Sequence, residues 1–573
     1  MRILFLTHSF NSLTQRLYVE LTRDGHEVSI EFDVNDATSE EAVALHRPDV
    51  IVAPFLKRAI PESIWSRHRC LVVHPGPPGD RGPSSLDWAI LDGASEWGVT
   101  VLQADAEFDA GPVWASATFP MRAAKKSSLY RNEVTDAAVR AVRAAVARLG
   151  DPGFAPRPLP ADDPRIRARP PMRQSDRVID WARDSTAAVL TKLRAADSFP
   201  GVLDSLLGRP FYLYGGHAEA TLAGTRPGEV IARRDDAILR ATTDGAVWIT
   251  HLRRAEAGAF KLPAALALGE LADAIPEADA GPLLAPPGDG WREITYEEGN
   301  GVGWLAFDFY NGAMGTSQCR RLQAAIEAAS RRPVDVLVLA GGEDFWSNGI
   351  HLNLIEAAAS PADASLENIE AIDDVARAIL GNERQLTVAA LRGNAGAGGV
   401  FLALAADRVL ARGGVMLNPH YKGMGNLYGS EYWTYSLPRR VGWEGARAIT
   451  QNRLPLDARA ALEAGLADEV LDGDIARFAA ETAAYARRLA ADPVLPALLE
   501  AKRARRAEDE RVKPLERYRE EELERMRLNF YGFDPSYHVA RSNFVRKVPH
   551  SWTPRHLALH RRLGFNPGGE RAA

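Results

Sequence analysis

Two stretches of the chain bring together residue types that can handle an activated carbonyl group. In the first, the apolar run Leu71-Val72-Val73 ends in His74-Pro75-Gly76, leaving an imidazole where a buried strand stops. Downstream, Phe108-Asp109-Ala110-Gly111-Pro112 sets a carboxylate in a tight turn after the strand-like run Val99–Leu102. Neighbouring strands would bring His74 and Asp109 to the same end of a sheet. An imidazole oriented by a carboxylate can shuttle protons or hold charge developing on a carbonyl oxygen. The spacing alone also fits a histidine that merely serves a turn.

In the second, Leu391-Arg392-Gly393-Asn394-Ala395-Gly396-Ala397-Gly398-Gly399-Val400 leaves the strand Leu386–Leu391 and opens a helix over Gly399–Ala406. Glycines let a carbonyl oxygen approach the main chain closely, and the free N–H groups of a helix start favour negative charge. A glycine-rich strand-to-helix turn also serves dinucleotides, or nothing but the turn itself.

The elements that must position these groups belong to a chain of 573 residues, a length that predicts three or four domains. Hydrophobic residues at 46% and charged residues at 25% exclude wholesale disorder and collagen-like repeats. A net charge of −6 gives no general affinity for nucleic acid or anionic lipid. Cys70 and Cys319 are too few for a disulfide framework or a thiolate zinc site, and no metal is expected. No apolar run approaches a membrane span, and His8 interrupts the first apolar residues too early for a secretory segment. A cytoplasmic protein is expected.

Prolines cluster between Asp151 and Pro171 and again from Pro276 to Pro287. Such density reads as extended, semi-stiff connection. The cuts predict domains over 1–150, 172–273 and 291–573. In the first, strands Arg2–Thr7, Glu27–Phe32 and Val50–Ala53 alternate with a helix over Asn11–Arg23, predicting a doubly wound parallel sheet with ligands beyond the strands' carboxyl ends. In the second, β-type runs at Phe211–Tyr214, Glu229–Ile231 and Val247–His251 predict a small β-barrel of the OB-like kind. The third opens with strands Gly303–Asp308 and Val334–Leu339 and ends in helices, where the dense mixed charge of Arg503–Arg527 reads as a solvated face.

The wording of the first two segments resembles the folate-dependent formyltransferases and hydrolases. Val73-His74-Pro75-Gly76, Arg81-Gly82-Pro83-Ser84-Ser85-Leu86-Asp87-Trp88, Gly98-Val99-Thr100-Val101 and Asp109-Ala110-Gly111-Pro112-Val113 carry the likeness. Ile179-Asp180-Trp181, Pro200-Gly201 and Pro227-Gly228-Glu229-Val230-Ile231 extend it into that family's C-terminal barrel. The resemblance implies formyl-tetrahydrofolate bound near Ala53-Pro54-Phe55-Leu56-Lys57, with Ser85 contributing, and makes His74 and Asp109 the reacting pair. One position departs. The family usually has Asn two residues before the histidine, where this chain has Val72. Losing such an oxyanion donor typically costs roughly 2.7–4 kcal/mol. Ser85 or a backbone N–H is expected to substitute, or the acceptor to be something other than a simple amine.

The third segment resembles the crotonase (enoyl-CoA hydratase/isomerase) superfamily. Phe345-Trp346-Ser347-Asn348-Gly349-Ile350-His351-Leu352, Ala405-Ala406-Asp407-Arg408-Val409, Leu437-Pro438-Arg439-Arg440-Val441-Gly442 and Ala464-Gly465-Leu466-Ala467-Asp468 carry the likeness. It implies a crotonase-like α/β spiral in which the N–H groups of Ile350 and Gly398 form an oxyanion hole for an acyl-CoA carbonyl. Phe401 stands where the first catalytic glutamate would be, so hydration is not expected. Tyr421 and Glu431 lie nearby in sequence. A buried glutamate can be raised into the range of a base, and a tyrosine can donate to it or to sulfur. Packing aromatics and a helix-start charge are the other reading.

The formyl-folate and acyl-CoA modules together resemble a family of [NiFe]-hydrogenase maturation proteins across essentially the whole chain. Gly79-Asp80-Arg81, Asn418-Pro419-His420-Tyr421, Tyr428-Gly429-Ser430-Glu431-Tyr432-Trp433 and Asn543-Phe544-Val545-Arg546-Lys547-Val548 carry that likeness. It implies formyl transfer from formyl-tetrahydrofolate to CoA, then decarbonylation of formyl-CoA to carbon monoxide, with the hydrogenase maturation machinery as partner. Two other functions fit the same modules: a formyltransferase fused to a conventional hydratase or isomerase, and a maturation scaffold that turns nothing over.

Overall fold

The computed structural model describes residues 1–222, 224–288 and 290–562. They form two compact units. Among the described residues, one comprises 1–179, 191–202 and 549–562; the other comprises 180–190 and 203–548.

The first unit is built on a six-stranded sheet. Its strands are β1 (Arg2–Thr7), β2 (Glu27–Phe32), β3 (Val50–Ala53), β4 (Cys70–His74), β5 (Glu96–Gln103) and β6 (Val113–Pro120), in the order β2-β1-β3-β4-β5-β6. Apolar runs such as Ile3-Leu4-Phe5 are fully buried because both faces are covered. The helix Ser12–Arg23 starts where Asn11 Oδ1 accepts from Thr14 N at 3.0 Å and buries Leu13, Leu17 and Leu21. The expected parallel sheet is observed for β1–β4, whereas β5 pairs antiparallel with both β4 and β6. Between β5 and β6 only 104–112 remain, too short for the dozen or more residues of a parallel crossover.

The proline-rich connector is not a bare spacer. Arg167–Ala168 pairs in parallel with Asp80–Arg81, and the N–H groups of Arg167 and Arg169 donate to Gly79 O and Arg81 O at 2.8 and 2.9 Å. Beyond the second unit, the chain returns to cover the edge of β2. Ile30 N donates to Leu557 O at 3.1 Å, Phe32 N donates to Thr553 Oγ1 at 2.7 Å, and buried His560 Nε2 lies 2.8 Å from Glu31 Oε2. An open edge strand invites pairing with other chains, and this segment removes the invitation.

In the second unit, Ala246–Arg254 pairs antiparallel with Arg209–Glu219 and with Ala237–Ala241 in a sheet of six strands. A further six-stranded sheet runs Ile294–Gly299, Val302–Phe307, Val336–Ala340, Leu386–Leu391, Arg408–Arg412, Glu469–Leu471, parallel after its first pair. Three of its strands each hand the chain to a three-residue strand of a smaller sheet: Phe345–Ser347, Asn394–Gly396 and Met416–Asn418. Repeating that handover winds the chain into a spiral. In the C-terminal helices Leu495–Val512 and Leu515–Tyr531 most charges of Arg503–Arg527 are exposed, as expected, but a few charges on these helices are not. Lys502, Arg506 and Glu522 are buried, and Lys502 Nζ donates to Gln385 O at 2.8 Å and to Asp407 Oδ2 at 2.5 Å. Buried charges need such partners. Among the described residues no helix is long and apolar enough to cross a membrane.

Truncation after Val548 is expected to speed amide exchange across Glu27–Phe32, because Ile30 and Phe32 lose their acceptors. Unchanged protection of that peptide in hydrogen-exchange mass spectrometry would contradict the edge-covering role.

Candidate active sites

In the first unit, Ala53 of β3 lies opposite Val72 of β4, and His74 closes β4 opposite Thr100. His74 is buried between two carboxylates: Nδ1 is 3.3 Å from Asp109 Oδ1 and Nε2 is 2.9 Å from Asp80 Oδ2. The expected pairing with Asp109 is present in geometry, though not by the expected route. β5 runs antiparallel to β4, so their carboxyl ends do not coincide; the loop 104–112 turns back instead. Asp109 adopts left-handed φ 55° in that loop, and its Oδ2 accepts from Gly82 N at 3.1 Å. Burial alone would lower the His74 pKa, but the hydrogen bonds and charges of Asp109 and Asp80 outweigh it and raise it to about 9. Burial would raise the Asp109 carboxyl, and His74 instead holds it below the usual range.

Phe55 stands beyond β3, with its carbonyl accepting from His8 N at 2.7 Å and its ring edge-on to His8 and Tyr130 at 6.0 and 6.2 Å. Ala53 and Pro54 are buried beside it. Aromatic edges at a sheet's carboxyl end suit a flat heterocycle. Ser85 does not act as the substitute donor expected for the missing amide. Its Oγ donates to Pro75 O at 2.7 Å, so it fixes the chain just after His74. Val72 packs against the apolar cluster that contains Leu4, Leu6, Ile51, Ala53 and Cys70.

In the second unit, successive turns of the spiral end in the expected residues. Ile350 follows the strand Phe345–Ser347, Gly398 follows Asn394–Gly396, and Tyr421 follows Met416–Asn418. Gly349 O accepts from Met314 N at 2.9 Å; since that peptide is trans, the Ile350 N–H points the opposite way. A Cβ on Gly349 would lie 3.5 Å from Gly398 N, so the two segments nearly touch. Gly398 is the first residue of its helix and its N–H has no intrahelical acceptor. A Cβ on Gly398 would collide with Glu431 Oε1, which puts the carboxylate against this turn.

Glu431 is fully buried. Tyr421 Oη donates to its Oε2 at 2.5 Å, while Oε1 has no hydrogen-bond partner among the described residues. Burial first, and then the charge of Asp373, raise its pKa to about 8. Phe401, fully buried, stacks on Tyr421 at 5.2 Å and excludes any second carboxylate from its own position. Glu431 and Tyr432 both adopt left-handed backbone, φ 61° and 57°, an unfavourable pair without external support. Two further buried carboxylates supply it. Asp373 Oδ1 accepts from Glu431 N at 2.7 Å and Ser430 Oγ at 2.6 Å. Glu522 accepts from Tyr432 N at 2.9 Å, Thr434 N at 2.8 Å and Thr434 Oγ1 at 2.5 Å.

Asp80, Asp373 and Glu522 were not singled out from the sequence. Asp80 had a signal, lying inside the run shared with maturation proteins. Glu522 looked like one more charge among many.

These features define a formyltransferase fold continued by an enoyl-CoA hydratase/isomerase fold. The Formyl transferase family matches residues 2–146, its C-terminal domain matches 171–265, and the Enoyl-CoA hydratase/isomerase family matches 312–552. Hydrogenase maturation factor HoxX of Bradyrhizobium diazoefficiens is 57% identical over 98% of this chain and 97% of its own length. The crystal structure of HypX from Aquifex aeolicus in complex with tetrahydrofolic acid is 50% identical, with a TM-score of 0.95 over 99% of this chain and 100% of that one. Methionyl-tRNA formyltransferase of Ralstonia nicotianae is 29% identical over 40% of this chain and 70% of its own length. The chain belongs to the HypX/HoxX family of hydrogenase maturation factors.

Exchanging Glu522 for Gln keeps its shape but turns one acceptor into a donor facing N–H groups. E522Q is expected to lower stability by about 1–3 kcal/mol, as a buried unsatisfied pair does. A thermal midpoint equal to that of the parent chain would contradict the support role.

Proposed function

We propose that the chain makes carbon monoxide for the active site of a [NiFe]-hydrogenase, moving a formyl group from formyl-tetrahydrofolate to CoA and then decarbonylating formyl-CoA. The observation that carries this reading is Glu431 Oε1: a buried carboxylate oxygen without a hydrogen-bond partner among the described residues, pressed against the Gly398 turn. A fully buried carboxylate is costly to leave unsatisfied, so the arrangement favours a bound group that completes it. The name of the 57%-identical relative supports the hydrogenase destination.

At the first site, His74 stabilises the oxyanion as the CoA sulfur bonds to the formyl carbon, then gives its proton to the departing folate nitrogen. Phe55, Ala53 and Pro54 hold the pterin, and Asp109 orients the imidazole. At the second site, the N–H groups of Ile350 and Gly398 hold the formyl oxygen. Glu431 takes the formyl hydrogen as the carbon–sulfur bond breaks; carbon monoxide leaves, and the thiolate recovers a proton from Tyr421 or Glu431. Phe401 disfavours a conventional hydratase, which needs a carboxylate there. The reaction sequence belongs in the cytoplasm, where the folate and CoA pools are.

With formyl-tetrahydrofolate and CoA supplied, the wild-type protein is expected to turn haemoglobin into its carbonyl form. E431Q should accumulate formyl thioester without gas, and H74A should form neither. Wild-type protein giving only formate would sink the decarbonylation step. Because Glu431 works deprotonated and its pKa is raised to about 8, gas release from formyl-CoA should rise with pH through that value and fall below it. A rate that is flat between pH 6.5 and about 9 would rule Glu431 out as the base.

A further inference from the structure

Asp80 occupies the one nitrogen of His74 that Asp109 leaves open. We propose that Asp80 is a positioning residue that keeps His74 protonated at the pH where a thiol acceptor is ionised. The inference rests on the formyl-to-thiol reading above and deepens it by naming what suits this site to sulfur.

The argument starts from two ordinary pKa values. A thiol ionises near about 8.5 and an imidazolium near about 6.5. The thiolate is the nucleophile, so transfer to sulfur gains from rising pH. An oxyanion stabiliser that must also protonate the leaving nitrogen loses its charge over that same interval. With an amide two residues before the histidine, part of the oxyanion's stabilisation would be independent of pH; Val72 removes that help. A second carboxylate on the ring restores the overlap, since an opposite charge within hydrogen-bond reach raises an imidazole by about 1–3 pH units.

The local backbone is arranged to keep this contact. A Cβ on Gly76 would collide with both Asp80 Oδ2 and His74 Nε2, so only glycine leaves room for the pair. Thr100 Oγ1 fixes Gly76 O at 2.7 Å. Asp80 itself sits on the two-residue strand paired with Arg167–Ala168, and a Cβ on Gly79 would lie 2.6 Å from Arg165 O. The connector thus clamps the loop that delivers the carboxylate. The charged groups around the ring are Asp80 and Asp109 in direct contact and, one step out, Arg81, which pairs with Glu107 at 2.7 Å. The two direct carboxylates dominate.

In the step itself, sulfur donates its electron pair to the formyl carbon and the bond from that carbon to the folate nitrogen breaks. The departing nitrogen takes the proton of His74 Nε2, which turns from Asp80 to the substrate while the carboxylate stays beside the ring as a charge. The proton released when the thiol ionised returns to His74, so charge and atoms balance.

The test uses the full chain labelled with 13C-histidine, with the His74 resonance identified by its loss in H74Q. D80N and G76A are each expected to lower the His74 midpoint by about one pH unit or more and to move the alkaline limb of formyl transfer to lower pH in step. The KM for the folate donor should change little. An unchanged His74 midpoint in D80N would overturn the inference. G76A separates the same pair without removing the charge, so it decides the matter if D80N does not fold. H74Q that still transfers formyl groups would instead overturn the underlying reading, while the D80N midpoint would continue to report on Asp80.

Discussion

A glutamate with no exposed surface, set on a left-handed turn, is the interaction on which the second site depends. Glu431 and Tyr432 take a backbone conformation that non-glycine residues avoid, at a cost of order 1–3 kcal/mol each. Asp373 and Glu522 offset that cost with hydrogen bonds to the turn's own N–H groups. The result fixes one carboxylate oxygen on Tyr421 and leaves the other facing Gly398. Glu522 comes from a C-terminal helix, so that extension is part of the site's construction.

The two sites manage charge in opposite ways. His74 is a buried imidazole held between two carboxylates, which favour its protonated form. Glu431 is a buried acid with other acids for neighbours, and its protonated form is favoured too, for the opposite reason. The first arrangement suits a group that gives a proton and holds an oxyanion; the second suits a base whose strength has been raised by withdrawing solvent. Phe401 completes the contrast by placing a stacked ring where a hydratase would keep its second carboxylate.

Much of this was legible in the sequence because it rests on local pattern. Apolar runs gave β1, β2, β3 and Leu386–Leu391 at the observed bounds, and the glycine turn gave a helix start at Gly399, one residue after the observed Gly398. The three-residue strands of the smaller sheet carry too little pattern to be read, although they are what bring Ile350, Gly398 and Tyr421 together. The direction of β5 was misread because a strand's own residues do not encode which way its neighbour runs. Glu522 was hidden in a charged stretch, since burial of one charge among many is decided by distant packing against Tyr432 and Thr434. Asp80 was in plain view but needed the connector's pairing to show where it points.

The central claim is that Glu431 breaks a formyl C–H bond while two main-chain amides hold the oxygen. Single-turnover release of carbon monoxide from formyl-CoA bearing deuterium on the formyl carbon measures that event directly. The account predicts a primary isotope effect on gas release, with the deuterium recovered in water and thiol. Equal rates for the two isotopes, with the label retained in formate, would contradict it.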